Sequence, residues 1–408
     1  MKLLVVSQHF WPESFRINDF VQALRADGCE VTVLTGQPNY PEGAIYPGYK
    51  AFSLRREGWE GAEIIRVPLA PRGKAGSVRL FVNYMSYVVS ATIAGGWALR
   101  GRRFDAILVY GTSPILQAIP AIFLKWIKGG RLATWVQDLW PESLSVTGHI
   151  RNQRVLALVN MVVVWIYRRN DLLLGQSRAF VEAIAPKAGG VPVVYFPNPG
   201  DIAAENREAA CDFGPGFHIV FAGNLGTAQA LETVVEAAVA VQDVDDIVIH
   251  IYGSGSRDEW LRQELERLGC RNIRLHGRVP PQQMEGIFAG ADALLVTLGA
   301  DEILTQTVPS KVQAYLQAGK PILAAMDGEG AAVIREAGAG LVAPAENAPA
   351  LAANMLHMYR TPAHARDAFG VAGRRYFEQN YDPRVLAGKL VGLLGANRCS
   401  LPRRGQER

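Results

Sequence analysis

Apolar positions along this chain fall into two rhythms that alternate from end to end. Short apolar runs read as buried strands: Leu3 to Val6, Val31 to Thr35, Glu63 to Val67, Ala106 to Tyr110, Leu132 to Val136, Leu172 to Leu174 and Val193 to Phe196. Between most of them, helical patterns intervene. The clearest is FRINDFVQALRADG, which keeps one apolar face and stops at Gly28. Such alternation predicts an α/β protein, a parallel sheet with helices on both faces. The rhythm breaks over 196–217, FPNPGDIAAENREAACDFGPGF, which is rich in proline, glycine and charge and reads as a linker. It restarts with Ile219 to Ala222, Ile247 to Tyr252, Ile273 to His276, Ala293 to Leu298, Pro321 to Ala325 and Gly340 to Val342. Two doubly wound, Rossmann-like domains in tandem are expected, 1–197 and 198–375, with a last helix over about 376–397 and a flexible basic tail at 398–408.

One helix has both ends marked. In TVPSKVQAYLQAGKP, 307–321, Pro309 suits the first helical position, and Gly319 followed by Pro321 marks the stop. ADALLVTL upstream reads as a strand and GADEILTQ as a polar loop, which leaves Ser310 and Lys311 in the helix's first turn.

Composition changes this picture little. With 49% apolar and 20% charged residues the chain is a folded protein, and a net charge of +4 gives no reason to expect a nucleic-acid partner. Cys29, Cys211, Cys270 and Cys399 are far apart and lack metal-ligand spacing, as in a reducing compartment. The opening MKLLVVSQ is too short for a signal-peptide core and fits a first strand. VLALVNMVVVWIY, 155–167, is too short to span a bilayer. Leu80 to Leu99 is twenty residues without a charge, but polar and glycine residues interrupt it. Its stripe Phe81, Tyr84, Met85, Val88, Val89, Ile93 and Trp97 has helical spacing, with Arg79 at one end and Arg100, Arg102 and Arg103 at the other. That pattern suits a core-packed helix or one lying on an anionic membrane surface, and argues against a span.

Ligands of doubly wound sheets bind beyond the carboxyl ends of the strands, so the residues just after strands are the candidates. In the second domain, Gly223, Asn224 and Gly226 follow one strand, and Gly253, Ser254 and Gly255 follow the next. Glycines there would let backbone approach a ligand with outward amides, although such turns use glycine in any case. The start of the 310 helix, with Ser310 and the charge of Lys311, adds a third loop on the same edge. Helix N-termini favour anions by roughly 0.3–1 kcal/mol each, so a diphosphate is the natural guest. The G-x-G-x-x-G fingerprint and the P-loop lysine are both missing, which argues against a nicotinamide dehydrogenase and a nucleoside triphosphatase and leaves a nucleotide diphosphate-sugar.

The stretches QHFWPESFRINDF, VTVLTGQPNYPEG, VQDLWPES, FAGNLGTAQAL and TVPSKVQAYLQAGKPIL resemble the family 4 glycosyltransferases of bacterial surface polysaccharide synthesis. More closely they resemble a subgroup from O-antigen and capsule clusters that includes N-acetyl-L-fucosamine transferases. The resemblance covers both domains. It implies the GT-B fold, two domains facing a cleft, with the last helix packing back on the first. It implies a donor bound to the second domain, UDP-N-acetyl-L-fucosamine or a similar UDP-sugar, and no metal or other cofactor. It implies a polyprenyl-diphosphate-linked saccharide acceptor on the first domain, transfer with retention, and a peripheral place at the inner face of the cytoplasmic membrane. The chain also departs from the family. The two usual glutamates fall at Gln306 and Ala314, and the usual Arg and Lys at Asn224 and Gln229. Lys311 is then the main candidate for stabilising the diphosphate, with Gln306 near the sugar and Arg278 bordering the base.

In the first domain Asp138 is expected to orient or deprotonate the acceptor hydroxyl, or to cap the next turn. Trp140 and Glu142 read as structural. His9 points toward the ligand or caps its turn. Glu13 and Arg16 bracket the acceptor or form an ordinary i,i+3 surface pair. Asn39 and Tyr40 line the acceptor side or belong to a rigid proline turn. Two other functions stay open, a sugar-nucleotide epimerase and a non-catalytic scaffold. The membrane-suited stripe argues against the first, and the retained Lys311, Gly223 and Gly226 argue against the second.

Overall fold

The structure, a computed structural model, describes residues 1–73, 76–146, 152–201 and 210–395. The chain divides into two units, Met1–Pro199 with the chain from Pro383 on, and Gly200–Asp382.

The first unit is built on an eight-stranded sheet: β1 Lys2–Val6, β2 Glu30–Thr35, β3 Arg55–Trp59, β4 Ala62–Arg66, β5 Ala106–Gly111, β6 Arg131–Val136, β7 Leu172–Gly175 and β8 Val193–Tyr195. The spatial order is β3-β4-β2-β1-β5-β6-β7-β8. All neighbours are parallel except β3, which runs antiparallel to β4 at the edge. Polar RREGW carries no apolar run, so β3 was not expected; edge exposure on β3 tolerates its charges. β1 and β5 are buried on both faces, as their continuous apolar sequences require. Each buried Leu, Val or Ile there contributes roughly 1.5–3 kcal/mol.

Helices cover the two faces differently. Ser77–Ser90, Ala118–Lys128 and Gln153–Tyr167 share one core layer. Arg16–Ala26 and Pro383–Gly395 share the other, packed on each other. The single helix expected over about 376–397 is in fact the end of Ala363–Asn380 and a separate Pro383–Gly395. Proline at 383 suits a helix start, and the domain boundaries accordingly fall at 199/200 and 382/383 rather than 197/198 and 375/376.

The stripe at 80–99 is the helix Ser77–Ser90, a wider turn Ala91–Gly95 and a last turn Gly96–Ala98. Asn83, Tyr87, Val88 and Ala91 face the core, whereas Phe81, Val89, Ile93 and Trp97 face outward. Most of the predicted stripe is therefore not core. No helix among the described residues is long and apolar enough to cross a membrane.

The second unit has six parallel strands: β9 Phe217–Ala222, β10 Ile247–Tyr252, β11 Ile273–Gly277, β12 Ala293–Thr297, β13 Ile322–Ala325 and β14 Gly340–Ala343, ordered β11-β10-β9-β12-β13-β14. The loop GADEILTQ, expected to be irregular, contains the short helix Glu302–Thr305, where the Asp301 side chain accepts from the Ile303 amide. A row of histidines crosses β9, β10 and β11. His218 Nδ1 lies 3.1 Å from His250 Nε2, and His250 Nδ1 lies 2.9 Å from His276 Nε2. His218 Nε2 faces the Gly214 carbonyl at 3.1 Å. Phe213 packs on the first two rings and Tyr252 stacks on the third at 4.3 Å. Burial, with the two neighbouring histidines adding, pushes the pKa of His250 down to about 4.

Candidate functional site

Three loops of the second unit meet beyond its strands, and they meet through backbone. The Gly253 amide donates to the Gly277 carbonyl at 2.7 Å, and the Gly223 amide to the Tyr252 carbonyl at 2.9 Å. The Leu225 amide donates to the Ser254 carbonyl at 3.1 Å. Gly253 has φ 144°, and a Cβ there would sit 1.8 Å from the Gly223 carbonyl oxygen. A Cβ on Gly255 would sit 2.3 Å from the Leu225 carbonyl oxygen. These glycines let chain segments touch each other. The amides of Gly223, Gly253 and Gly255 are all spent internally, the last on the Asp258 carboxylate. The expectation that these amides point outward at a ligand is corrected accordingly.

The helix starts also differ from expectation. Gly226 does not open a helix directly. A 3₁₀ turn Thr227–Gln229 and a left-handed Ala230 intervene before Leu231–Val241. That helix carries Glu232 in its first turn, and Asp258–Leu268, after Gly255, begins with two acidic residues. Carboxylates at those starts oppose an anionic guest. Ser310–Ala318 is different. Its first turn has no acidic residue, and it holds Lys311. Pro309 is the N-cap rather than the first helical residue, with extended ψ of 143°.

Lys311 is seated rather than free. Its Nζ donates to Gln229 Oε1 and stands 3.8 Å from the Phe221 ring centroid. Gly223 makes room for it, because a Cβ there would lie 2.5 Å from Lys311 Cε. Burial pushes its pKa down to about 7. The ammonium thus lies beside Gln229, whose position carries a lysine in the family the sequence resembles. Neither Gln229 nor Phe221 was expected as a partner, since only a long-range fold brings them to Lys311. Of the remaining candidates, Asn224 and Ser310 are exposed, Gln306 ends the 302–305 helix half-buried, and Arg278 is exposed just beyond β11. Ala314 packs into the core of this unit.

Beyond β1 in the first unit, side chains do the joining. The Glu13 carboxyl is buried; its Oε1 accepts from the amides of Asn39 and Tyr40, both at 2.7 Å. Its Oε2 lies 3.0 Å from His9 Nδ1 and accepts from the Phe10 amide. His9 is buried too, stacked on Phe15 and against Tyr40. Glu13 and Arg16 are therefore not a surface pair. Arg16 reaches the Pro199 carbonyl instead. Asn39 is fully buried; its Oδ1 accepts from the Arg72 amide at 3.2 Å and from Asn83 at 3.4 Å. Tyr40 is partly exposed under the Arg72 guanidinium. Gln8 and Gln117 extend this network, with Asn83 from the 77–90 helix. None of Arg72, Asn83, Gln8 or Gln117 was expected, because nothing local links them.

Asp138 stands beyond β6, two strands away from β1 on the same edge. Its Oδ2 accepts from Trp140 Nε1 at 3.2 Å and from Ser143 Oγ at 3.3 Å. Burial pushes its pKa up, against the pull of those hydrogen bonds, which makes it a better base than an exposed aspartate. Trp140 also donates to Ser113, and Glu142 pairs with Lys187.

The start of the 310–318 helix, the seated Lys311 and the glycine-packed βα loops of the second unit make up the candidate site. Residues 14–199 match the model of the glycosyl transferase 4-like domain, and residues 216–361 that of glycosyl transferases group 1. The chain belongs to the family 4 glycosyltransferases of GT-B fold. A relative from Escherichia coli K12, described as "Putative colanic acid biosynthesis glycosyl transferase WcaI", is 26% identical over 342 residues, 78% of this chain and 82% of the relative. Among solved structures, sucrose-phosphate synthase from Thermosynechococcus elongatus superposes with a TM-score of 0.68 at 13% identity, over 98% of this chain and 100% of that one. HepE of Anabaena, in complex with UDP, superposes with a TM-score of 0.65 at 13% identity, over 97% and 100%. At such identities these structures share the fold.

Proposed function

We propose that this glycosyltransferase moves a sugar from a UDP-sugar to a lipid-linked saccharide in the assembly of a bacterial surface polysaccharide. The observation that carries the donor half is Lys311, held at the acid-free start of the 310–318 helix against Gly223 and Gln229. A diphosphate placed there meets the ammonium and the helix amides together. HepE, of the same fold, is known with UDP and with UDP-glucose, which favours uridine as the base. The relative's colanic acid assignment favours polysaccharide assembly. UDP-N-acetyl-L-fucosamine is the donor the sequence resemblance favours.

In this reading Gly223, Asn224, Gly226 and Gly253 to Gly255 form the wall of the donor pocket, Arg278 borders the base, and Ser310 and Gln306 face the phosphate and sugar. The acceptor lies on the first unit, where Tyr40 is the exposed member of the knot around His9, Glu13 and Asn39. Asp138 orients the acceptor hydroxyl. That oxygen bonds to the anomeric carbon as the bond to the diphosphate oxygen breaks. The proton leaves with the diphosphate, on the same face, so configuration is retained. Lys311 and the helix start neutralise the leaving charge, with no divalent cation required, and the enzyme works as a peripheral protein at the cytoplasmic face of the membrane.

Thermal-shift binding of UDP, GDP and ADP, with Lys311→Ala and Lys311→Arg alongside, tests the donor half. A nucleotide at a hundred times its dissociation constant stabilises by about 2.7 kcal/mol. One nucleotide, expected to be UDP, raises the melting temperature. Lys311→Ala abolishes the shift and Lys311→Arg keeps part of it. The absence of any shift at millimolar nucleotide overturns the donor reading.

A further inference from the structure

Arg72 is a charged side chain on a fastened loop, and no described carboxylate pairs with it. The stretch from Pro68 to Gly73 follows β4, on the edge where β1 and β6 also end. Asn83 Nδ2 donates to the Ala70 carbonyl at 2.6 Å, and the Ala70 amide donates to Ser86 Oγ at 3.0 Å. The Arg72 amide is held by Asn39, and the Gly73 amide donates to the Gly43 carbonyl at 2.9 Å. The guanidinium presented by this loop is half-buried. It stands 5.1 Å from the Tyr40 ring centroid and makes no hydrogen bond or ion pair with another described residue. Arg79 folds back on the same loop, since a Cβ on Gly73 would sit 2.8 Å from its guanidinium.

Tyr84 reaches the same place from the 77–90 helix. Its phenol is half-buried, bonds to no described residue, and lies within electrostatic range of Arg72, Asp138 and Tyr40. Burial pushes its pKa up, so the hydroxyl keeps its proton and can donate. The buried carboxyl groups nearby are engaged elsewhere, Glu13 with three amides and His9, Asp138 with Trp140 and Ser143. A guanidinium resting on a ring keeps its N–H edge for a partner, and that planar fork matches two oxygens of a carboxylate or phosphate.

We infer that Arg72, with Tyr84 and the Tyr40 ring, binds an oxyanion carried by the acceptor beside its reacting sugar, either a phosphate of its lipid link or the carboxylate of an acidic sugar. The Arg72 fork takes two oxygens of that anion, Tyr84 donates to another polar atom, and the Tyr40 ring packs on the adjoining sugar. Tyr84 is in range of Asp138 as well as Arg72, which puts the anion and the hydroxyl that Asp138 orients at the same end of the acceptor. The inference rests on the acceptor reading above for the identity of the guest.

The test is isothermal titration of the full chain carrying Lys311→Ala, which silences the donor half. The probes are inorganic pyrophosphate, methyl glucuronoside and, as a neutral control, methyl glucoside. At least one of the two anions is expected to bind, and more tightly than the neutral sugar. Adding Arg72→Gln is expected to weaken that anion by at least ~10-fold, Arg72→Lys by less, and Tyr84→Phe by about 3-fold. Pyrophosphate alone responding to Arg72 identifies the phosphate of a lipid link, and glucuronoside alone identifies an acidic sugar. Made singly in the chain that keeps Lys311, each change leaves the UDP-induced thermal shift at the wild-type value, which shows that it folds. Should Arg72→Gln lose that shift, Tyr84→Phe carries the test, and unchanged anion affinity there overturns the inference. So does the failure of both anions to bind, or binding that survives Arg72→Gln. Absence of a UDP shift in the wild type, with anion binding still dependent on Arg72, overturns only the donor reading.

Discussion

Beyond β1 in the first unit a single carboxyl group, that of Glu13, fastens two stretches of chain, 9–13 and 39–40, by accepting from Phe10, Asn39 and Tyr40 while holding His9. Beyond β9 and β10 in the second unit the fastening is done by glycines whose backbones touch, at Gly223, Gly253 and Gly255. The first solution uses polar side chains. The second sets the Lys311 ammonium against Gly223 and the Asp258 carboxylate on the Gly255 amide. A site built from touching backbones has little tolerance for added atoms, whereas a site built from a buried carboxyl has little tolerance for lost ones.

The sharpest break should come at Gly253. Gly253→Ala puts a methyl group 1.8 Å from a carbonyl oxygen at φ 144°. Overpacking and backbone strain together should cost about 4 kcal/mol, read as an earlier urea transition with the helical signal of the second unit lost first. Next is Glu13→Ala, which strands three amides and an imidazole and should cost about 3 kcal/mol. Glu13→Gln keeps one acceptor and should cost roughly half of that, so urea midpoints of the two variants separate hydrogen bonding from bulk.

Acid should then act mainly on the second unit. His250 is held near a pKa of 4 against an ordinary 6.5. Between those values the unfolded chain binds the proton and the folded chain does not, so stability falls as pH drops from about 6.5 to about 4. The loss should be on the order of 2–3 kcal/mol, and thermal melts across that window should show His250→Gln flattening the slope. The smallest effect belongs to Lys311→Met without ligand. With a folded pKa of about 7 against 10.5, the lysine penalises the folded state most at or below neutral pH, and stability recovers as pH rises from about 7 toward 10.5. Lys311→Met should therefore raise stability by about 1–2 kcal/mol at pH 6, given its partial exposure, and by progressively less toward pH 10. A gain in stability paired with loss of the UDP shift would mark Lys311 as a residue kept for binding rather than for folding.

The strands and their order of appearance were legible because parallel strands buried on both sides must be apolar throughout, as in β1 and β5, and the end of the 310–318 helix was legible from Gly319. β3 was not, since an edge strand of RREGW needs no apolar run. In the site, Lys311 could be read from its place after Pro309, but its seat against Gln229 and Phe221 joins residues about eighty positions apart. The glycine loops were recognised while their amides were misassigned, because sequence gives the positions of glycines and not the direction in which a peptide plane faces. The His9–Glu13 contact was hidden by its spacing, which suits a helix although the segment is a loop.

The histidine row across β9, β10 and β11 has a direction. The Gly214 carbonyl can only accept, so Nε2 of His218 must carry its hydrogen and Nδ1 must be bare. His250 then donates from Nε2 to that bare nitrogen, and His276 does the same to His250. All three rings are locked in one tautomer by a peptide oxygen at the far end. The row ends at His276, on the strand that ends beside Arg278. Three side chains far apart in sequence thus form one polarised chain of hydrogen bonds that runs from His276 to the peptide oxygen of residue 214.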